Sequence, residues 1–194
     1  MEGTSERKKI LAILGSPRKN GNSAVLAKHV ITGAESAGAE VESVYLHGLN
    51  ISPCQACFTC QKKKSTGCAI DDDMQSIYPA LIEARAWILA CPVYWFTMSA
   101  QMKLFMDRLF GLVAYGRDPF RAKRIAVAMS YGDRDPFVSG CVNALRAFQD
   151  AFRFTGSDLV GMVYGSALEP GEIEADGALM RKAEDLGRKL GSNL

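Results

Sequence analysis

Apolar residues along the chain fall into short compact blocks, separated by stretches whose apolar positions recur at three- and four-residue steps. Residues 9–14 form one block, ended by Gly15-Ser16-Pro17, and read as a buried strand. The following 23–37 stretch places Leu26, Val30, Ala34 and Ala37 on one helical face, with Asn22 or Ser23 positioned to cap its start. Residues 41–46 alternate as a second strand, and a long loop fills 47–70. Helical spacing resumes at Met74, Ile77, Leu81 and Ile82, with Pro79 inside it expected to kink or divide the helix. A third strand is expected over 86–90, stopped by Cys91-Pro92. Met102, Phe105, Met106, Leu109, Phe110 and Val113 then mark a clear helical stripe. A fourth strand over 125–129 leads to a helix carrying Cys141, Leu145, Phe148 and Phe152. A fifth strand over 159–164 precedes a charged helix from Ala178.

Strands that alternate with helices pair in parallel through right-handed crossovers and carry helices on both faces. No repeat or linker divides the pattern, so residues 1–194 are expected to form one doubly wound α/β domain. Charge adds little to this picture: 23 Lys and Arg against 21 Asp and Glu leave +2, too slight a bias to point to nucleic acid or a membrane surface. No apolar run approaches the roughly 20 residues of a membrane span. The start of the chain is polar, without a secretory signal, so a cytoplasmic protein is expected.

In an open α/β sheet the ligand sits beyond the carboxyl ends of the strands, where the strand order reverses. The loop after the first strand, Gly15-Ser16-Pro17-Arg18-Lys19-Asn20-Gly21-Asn22-Ser23, runs small hydroxyl and amide residues into a helix start. Such a loop offers backbone N–H groups, hydroxyls and the helix dipole to an anion. Neither G-x-x-x-x-G-K-[ST] nor G-x-G-x-x-G occurs there, which argues against an ATP-type P-loop and a dinucleotide fingerprint. The loop after the third strand holds Tyr94-Trp95-Phe96. Consecutive aromatics there cannot all enter one core, so some face solvent, a flat ligand or a second subunit. The loop after the fourth strand, from Tyr131-Gly132, brings a glycine where close approach helps.

The run I-L-G-S-P-R-K-N-G-N-S (13–23) resembles the phosphate loop of the flavodoxin-like NAD(P)H-dependent FMN reductase family. The run C-P-V-Y-W-F-T-M-S-A-Q-M-K-L-F-M-D-R (91–108) resembles that family's second signature. The likeness is strong from Lys9 to Phe110 and thins afterwards. It implies a five-stranded flavodoxin-like sheet in the order 2-1-3-4-5. It also implies FMN, with its phosphate held by Ser16, Arg18, Asn20, Gly21, Asn22 and Ser23. Pro92, Val93, Tyr94, Trp95 and Phe96 would line the isoalloxazine, with Tyr131 and Gly132 closing the far side. NAD(P)H would be the electron donor, and a quinone, flavin, nitro or azo compound, or metal ion the acceptor. The flavin carries the chemistry, so no catalytic acid, base or nucleophile is assigned. The resemblance further implies a homodimer or homotetramer.

Cys54, Cys57, Cys60 and Cys68 spell C-x₂-C-x₂-C-x₇-C in a chain without an export signal. Compact cysteines of this kind suit an iron–sulfur cluster, and four thiolates also suit zinc. The iron–sulfur flavoproteins within the same family carry a similar motif, which implies a [4Fe–4S] cluster passing electrons to or from FMN and, as the alternative reading, an electron carrier between protein partners. Many relatives without a cluster resemble the segment as well, so thiols free of metal stay open. The C-x₅-R of tyrosine phosphatases is met by no cysteine, since Cys91 leads to Thr97 and Cys141 reaches Arg146 one residue too soon. His29 and His47 are given no role.

Overall fold

The computed structural model describes residues 8–116, 118–192 and 194. In chain order the elements are β1 (Lys9–Leu14), α1 (Asn22–Ser36), β2 (Glu40–Tyr45), α2 (Met74–Glu83), β3 (Ala86–Tyr94), β4 (Thr97–Met98), α3 (Ala100–Arg108), β5 (Arg124–Tyr131), α4 (Cys141–Thr155), β6 (Asp158–Ser166) and α5 (Gly177–Ser192). Five strands pair in parallel in the order β2-β1-β3-β5-β6, while β4 folds back antiparallel on the end of β3. Counting only the long strands, this is the 2-1-3-4-5 order of a flavodoxin-like sheet. The order reverses between β1 and β3, which puts their loops side by side.

Side chains alternate across the pleat, so the central strands feed two cores. Leu11, Ile13, Trp87, Leu89, Ile125 and Val127 face α2, α3 and α4 together with Phe105, Phe148 and Phe152. Ile10, Ala12, Ala86, Ile88, Ala126 and Ala128 face α1 and α5. The alanine-rich face lets its two helices come close. A Cβ at Gly33 of α1 would collide with the Glu184 carbonyl, and one at Gly187 of α5 with the Val30 carbonyl, so these helices touch backbone to backbone.

Three local expectations change. The third strand continues through Cys91-Pro92 to Tyr94 and stays in register with β5, Pro92 opposite Ser130. β1 ends opposite Ala90, so Pro92 lies where β3 has become an edge on that side, a setting in which strands accept proline. Helix α2 is a single helix despite Pro79. Pro79 sits on the exposed face, and Met74, Ile77, Tyr78 and Leu81 anchor the opposite face in the core. Finally, Gly21 and not Asn22 or Ser23 is the N-cap of α1, and no side chain caps that end. The Asn22 amide is committed elsewhere, as described next. No helix among the described residues is long and apolar enough to cross a membrane.

Candidate active site

The first loop is built by its own small residues. Ser16 Oγ accepts from the Arg18 N–H (3.0 Å) and donates to the Arg18 carbonyl (3.1 Å), folding the chain into a tight turn. Gly21 fits inside that turn, where a Cβ would lie 3.1 Å from both Ser16 Oγ and Arg18 Cβ. The loop is tied to the rest of the fold at both ends. The Gly15 N–H donates to the Ala90 carbonyl (2.7 Å) on β3. Asn22 Nδ2 donates to the Glu169 carbonyl (2.9 Å), and its Oδ1 accepts from the Ile173 N–H (3.3 Å) in the segment after β6. Ser23 Oγ is buried with no hydrogen-bond partner.

The second loop is a two-residue hairpin between β3 and β4. Val93 pairs with Met98 and Tyr94 with Thr97, leaving Trp95 and Phe96 as the tip. Both tip residues have positive φ, 49° and 64°. Hairpin turns of this hand need that conformation, and Asn-Gly usually supplies it; two bulky aromatics there store strain. After the tip, Ser99 Oγ donates to the Gly15 carbonyl (2.6 Å) and so links the second loop to the first.

The third loop follows β5. Its Tyr131 carbonyl accepts from the Ala167 N–H (2.9 Å), and a Cβ at Gly132 would press on Leu168 at 2.9 Å. Burial, with Cys141 and Tyr164 nearby, raises the pKa of the Tyr131 phenol and keeps it protonated.

These loops enclose a cleft of about 180 Å³ at the carboxyl ends of β1, β3 and β5. Ser16, Arg18, Gly21, Asn22 and Ser23 line it on one side, and Pro92, Val93, Tyr94, Tyr131 and Gly132 on the other. Three expected residues do not line it: Asn20, Trp95 and Phe96 are exposed outside. Ser130, Ala167 and Leu168 line it without having been expected. The general rule that ligands lie at strand ends pointed to the loop after β6, but nothing in that loop's residues did. Larger grooves exist against β6 and α5 and between α3 and α4, yet neither joins the loops at the reversal of strand order.

A phosphate fits this cleft on two observations. Ser23 presents a buried hydroxyl without a partner, and Gly21 keeps the approach to the start of α1 open. A phosphate there meets an N-terminal helix dipole and the Arg18 side chain.

The cysteines form a second feature. Cys54, Cys57, Cys60 and Cys68 all line one small cavity beside Phe58, Phe110 and Arg108. Cys54 and Cys57 are exposed, and all four are free thiols. Hydrogen bonds from Thr59 lower the pKa of the Cys57 thiol. Arg108 is buried, pairs with Asp72 (2.5 and 3.1 Å), donates to the Ser52 carbonyl (2.8 Å), and approaches Cys68 Sγ at 3.5 Å. Burial acts to raise the Asp72 pKa, but the Arg108 and Ser52 hydrogen bonds outweigh it and hold the carboxyl low. Among the described residues, no three His, Cys, Asp or Glu side chains gather closely enough to hold one metal ion. The all-thiol donor set suits a cluster, whose ligands surround a cube rather than a point. The cavity, about 20 Å³, has room for about one water, so a cluster needs the exposed 54–58 segment to stand further off.

Among known proteins, a family model for NADPH-dependent FMN reductase matches residues 8–155. An iron-sulfur flavoprotein of Archaeoglobus fulgidus is 34% identical over 187 residues, covering 94% of this chain and 78% of the relative. The Bacillus subtilis protein YwqN, whose name describes an NAD(P)H-dependent FMN-containing oxidoreductase, is 29% identical over 92% of this chain and 96% of its own length. The solved structure of a Trp repressor binding protein from Bacillus subtilis superposes with a TM-score of 0.69 at 28% identity, covering 91% of this chain and 98% of that one.

Sheet order and cleft together define a flavodoxin-like flavoprotein. With residues 8–155 matched, the chain belongs to the NADPH-dependent FMN reductase family and is an FMN-dependent oxidoreductase.

Proposed function

We propose that this chain carries electrons from NAD(P)H through FMN to a small acceptor, in the cytoplasm: a quinone, free flavin, nitro or azo compound, or metal ion. The observation that supports it is the meeting of a phosphate-type loop and an aromatic second loop on one cleft at the reversal of strand order. On this reading Ser16, Arg18, Gly21, Asn22 and Ser23 hold the FMN phosphate. Ser23 donates its otherwise unused hydroxyl, and the free N–H groups of α1 complete the cradle. Pro92, Val93, Tyr94, Tyr131 and Gly132 bound the ring. When bound, FMN supplies a ring that accepts hydride and releases electrons to an acceptor. The chain supplies position and exclusion of water, and Tyr131, held protonated, is a hydrogen-bond donor at the cleft wall. Asn20 lies outside the cleft and contributes no contact in this arrangement.

A second reading draws on the cysteine pocket. Four thiols around one cavity support a [4Fe–4S] cluster, with the protein acting as an electron carrier between protein partners. Purification without oxygen, followed by an ultraviolet–visible spectrum, iron and sulfide assays, and NAD(P)H oxidation with an acceptor screen, separates the two. Flavin bands without iron and fast turnover support the reductase. About four irons per chain, as a cubane requires, with slow turnover support the carrier. A protein that stays colourless when FMN is added overturns both. We also propose a homodimer or homotetramer, on the strength of the apolar 102–110 stretch, where Phe110 stays exposed; light scattering that gives a 21.1 kDa monomer overturns it.

A further inference from the structure

The Trp95–Phe96 tip is strained, exposed and yet held in place. Trp95 is 90% exposed, and both residues occupy the left-handed region that glycine favours. A hairpin tip in this state relaxes unless its surroundings fix it. The surroundings here come from the start of α4. Asn143 Nδ2 donates to the Phe96 carbonyl (3.0 Å), a side-chain hydrogen bond to the tip's own backbone. Gly140, at φ +75°, lies against the same residue, and a Cβ there would sit 2.6 Å from the Phe96 backbone. One donor and one missing methyl therefore seat the tip.

The neighbours of the tip give the seating a use. Tyr94, immediately before it, lines the cleft, and Ser99, just after it, bonds to Gly15 of the phosphate loop. The tip thus stands at the mouth of the cleft but outside its wall. An indole and a phenyl ring carried on a backbone fixed there offer flat apolar surface to a planar aromatic molecule arriving from solvent.

We propose that Asn143, with Gly140, is a positioning residue that holds Trp95 and Phe96 as the seat of a planar aromatic electron acceptor. The proposal rests on the reductase reading above. Asn143 acts through the hairpin and touches neither FMN nor the reacting atoms.

The test uses FMN-loaded protein with NADPH, 1,4-naphthoquinone as the planar acceptor and ferricyanide as an acceptor that needs no flat seat. Asn143→Ala and Gly140→Ala disturb the tip by unrelated means, one by losing a donor and one by overlap. Both are expected to raise KM for naphthoquinone by roughly three- to tenfold, the equivalent of about one hydrogen bond, with kcat little changed. Ferricyanide rates and FMN affinity should stay within about twofold, a change too small to represent a lost hydrogen bond. Asn143→Gln, which keeps an amide donor, should recover part of the loss. An independent readout is the anisotropy of red-edge tryptophan fluorescence. This reports exposed Trp95 rather than buried Trp87 and should fall in both alanine variants. Unchanged anisotropy overturns the clamp, and a fall in FMN affinity that matches the rise in KM overturns the acceptor seat. If the wild-type protein oxidises no NADPH with any acceptor, the reductase reading fails. The anisotropy result and direct naphthoquinone binding, followed by quenching of flavin fluorescence, then decide the clamp and the seat on their own.

Discussion

Ser23 carries a hydroxyl that the protein itself leaves without a partner, inside a cleft beside a helix start. A buried donor in that state lowers the stability of the empty protein and gains a partner only from a ligand. Ser23→Ala should therefore leave the FMN-free protein equally stable or up to about 1 kcal/mol more stable, while weakening FMN binding about tenfold. Thermal melts without FMN and a fluorescence titration with it check both halves. Asp72 is the opposite case, since every contact it makes is internal. It pairs with Arg108 and accepts from the Ser52 and Met74 N–H groups. Asp72→Asn leaves the Arg108 guanidinium buried without its countercharge and should cost about 3 kcal/mol near neutral pH. The Asp72 pKa is held below its unfolded value, so its contribution is complete above that unfolded value and is lost as pH falls through the folded one. Urea melts over a falling pH series should show the wild-type advantage shrinking in acid and constant near neutrality.

Between elements, the contact of α1 with α5 depends on two glycines that replace side chains with backbone. Helix propensity alone favours alanine over glycine by about 1 kcal/mol. At Gly187 the new methyl would meet the Val30 carbonyl, and α5 would have to move off α1. Gly187→Ala should therefore destabilise by about 2 kcal/mol despite the better propensity, as denaturant unfolding would show. Such pairs explain which parts of the fold the sequence displays. The central strands are visible because both of their faces are buried, giving unbroken runs such as 86–90 and 125–129. The continuation through Cys91-Pro92 is not visible, because only the position of β1 in space makes that proline harmless. β4 has two residues, too few for any periodicity. The cleft itself divides the same way. Ser16, Gly21, Pro92 and Tyr94 stand in motifs whose chemistry is local, and the structure places them together. Ala167 and Leu168 are ordinary residues that reach the cleft only because β6 lies beside β5. Asn22 reads as a helix cap in sequence, but its partners lie 147 and 151 residues away.

At the scale of the whole molecule, the cleft is fastened across the entire sheet. Gly15 is bonded to Ala90 and Ser99, Tyr131 to Ala167, and Asn22 to Glu169 and Ile173. A ligand held there restrains the fold as a unit, so FMN at 100 times its Kd should add about 2.7 kcal/mol and raise the melting temperature by roughly 5–10 °C. A scan of melting temperature against FMN concentration tests this, and a melt independent of FMN would remove the cleft as the flavin site. The link from Asn22 to residues 169 and 173 also sets an order on the making of the protein. A ribosome displays the phosphate loop first, and the segment that fixes Asn22 emerges roughly 7 to 30 seconds later, at about 5–20 residues per second. A nascent chain stalled before Ile173 would carry both sequence signatures and still lack a finished cradle. With the flavin placed as proposed above, loading is expected only once residue 173 has emerged, rather than at the appearance of the motif.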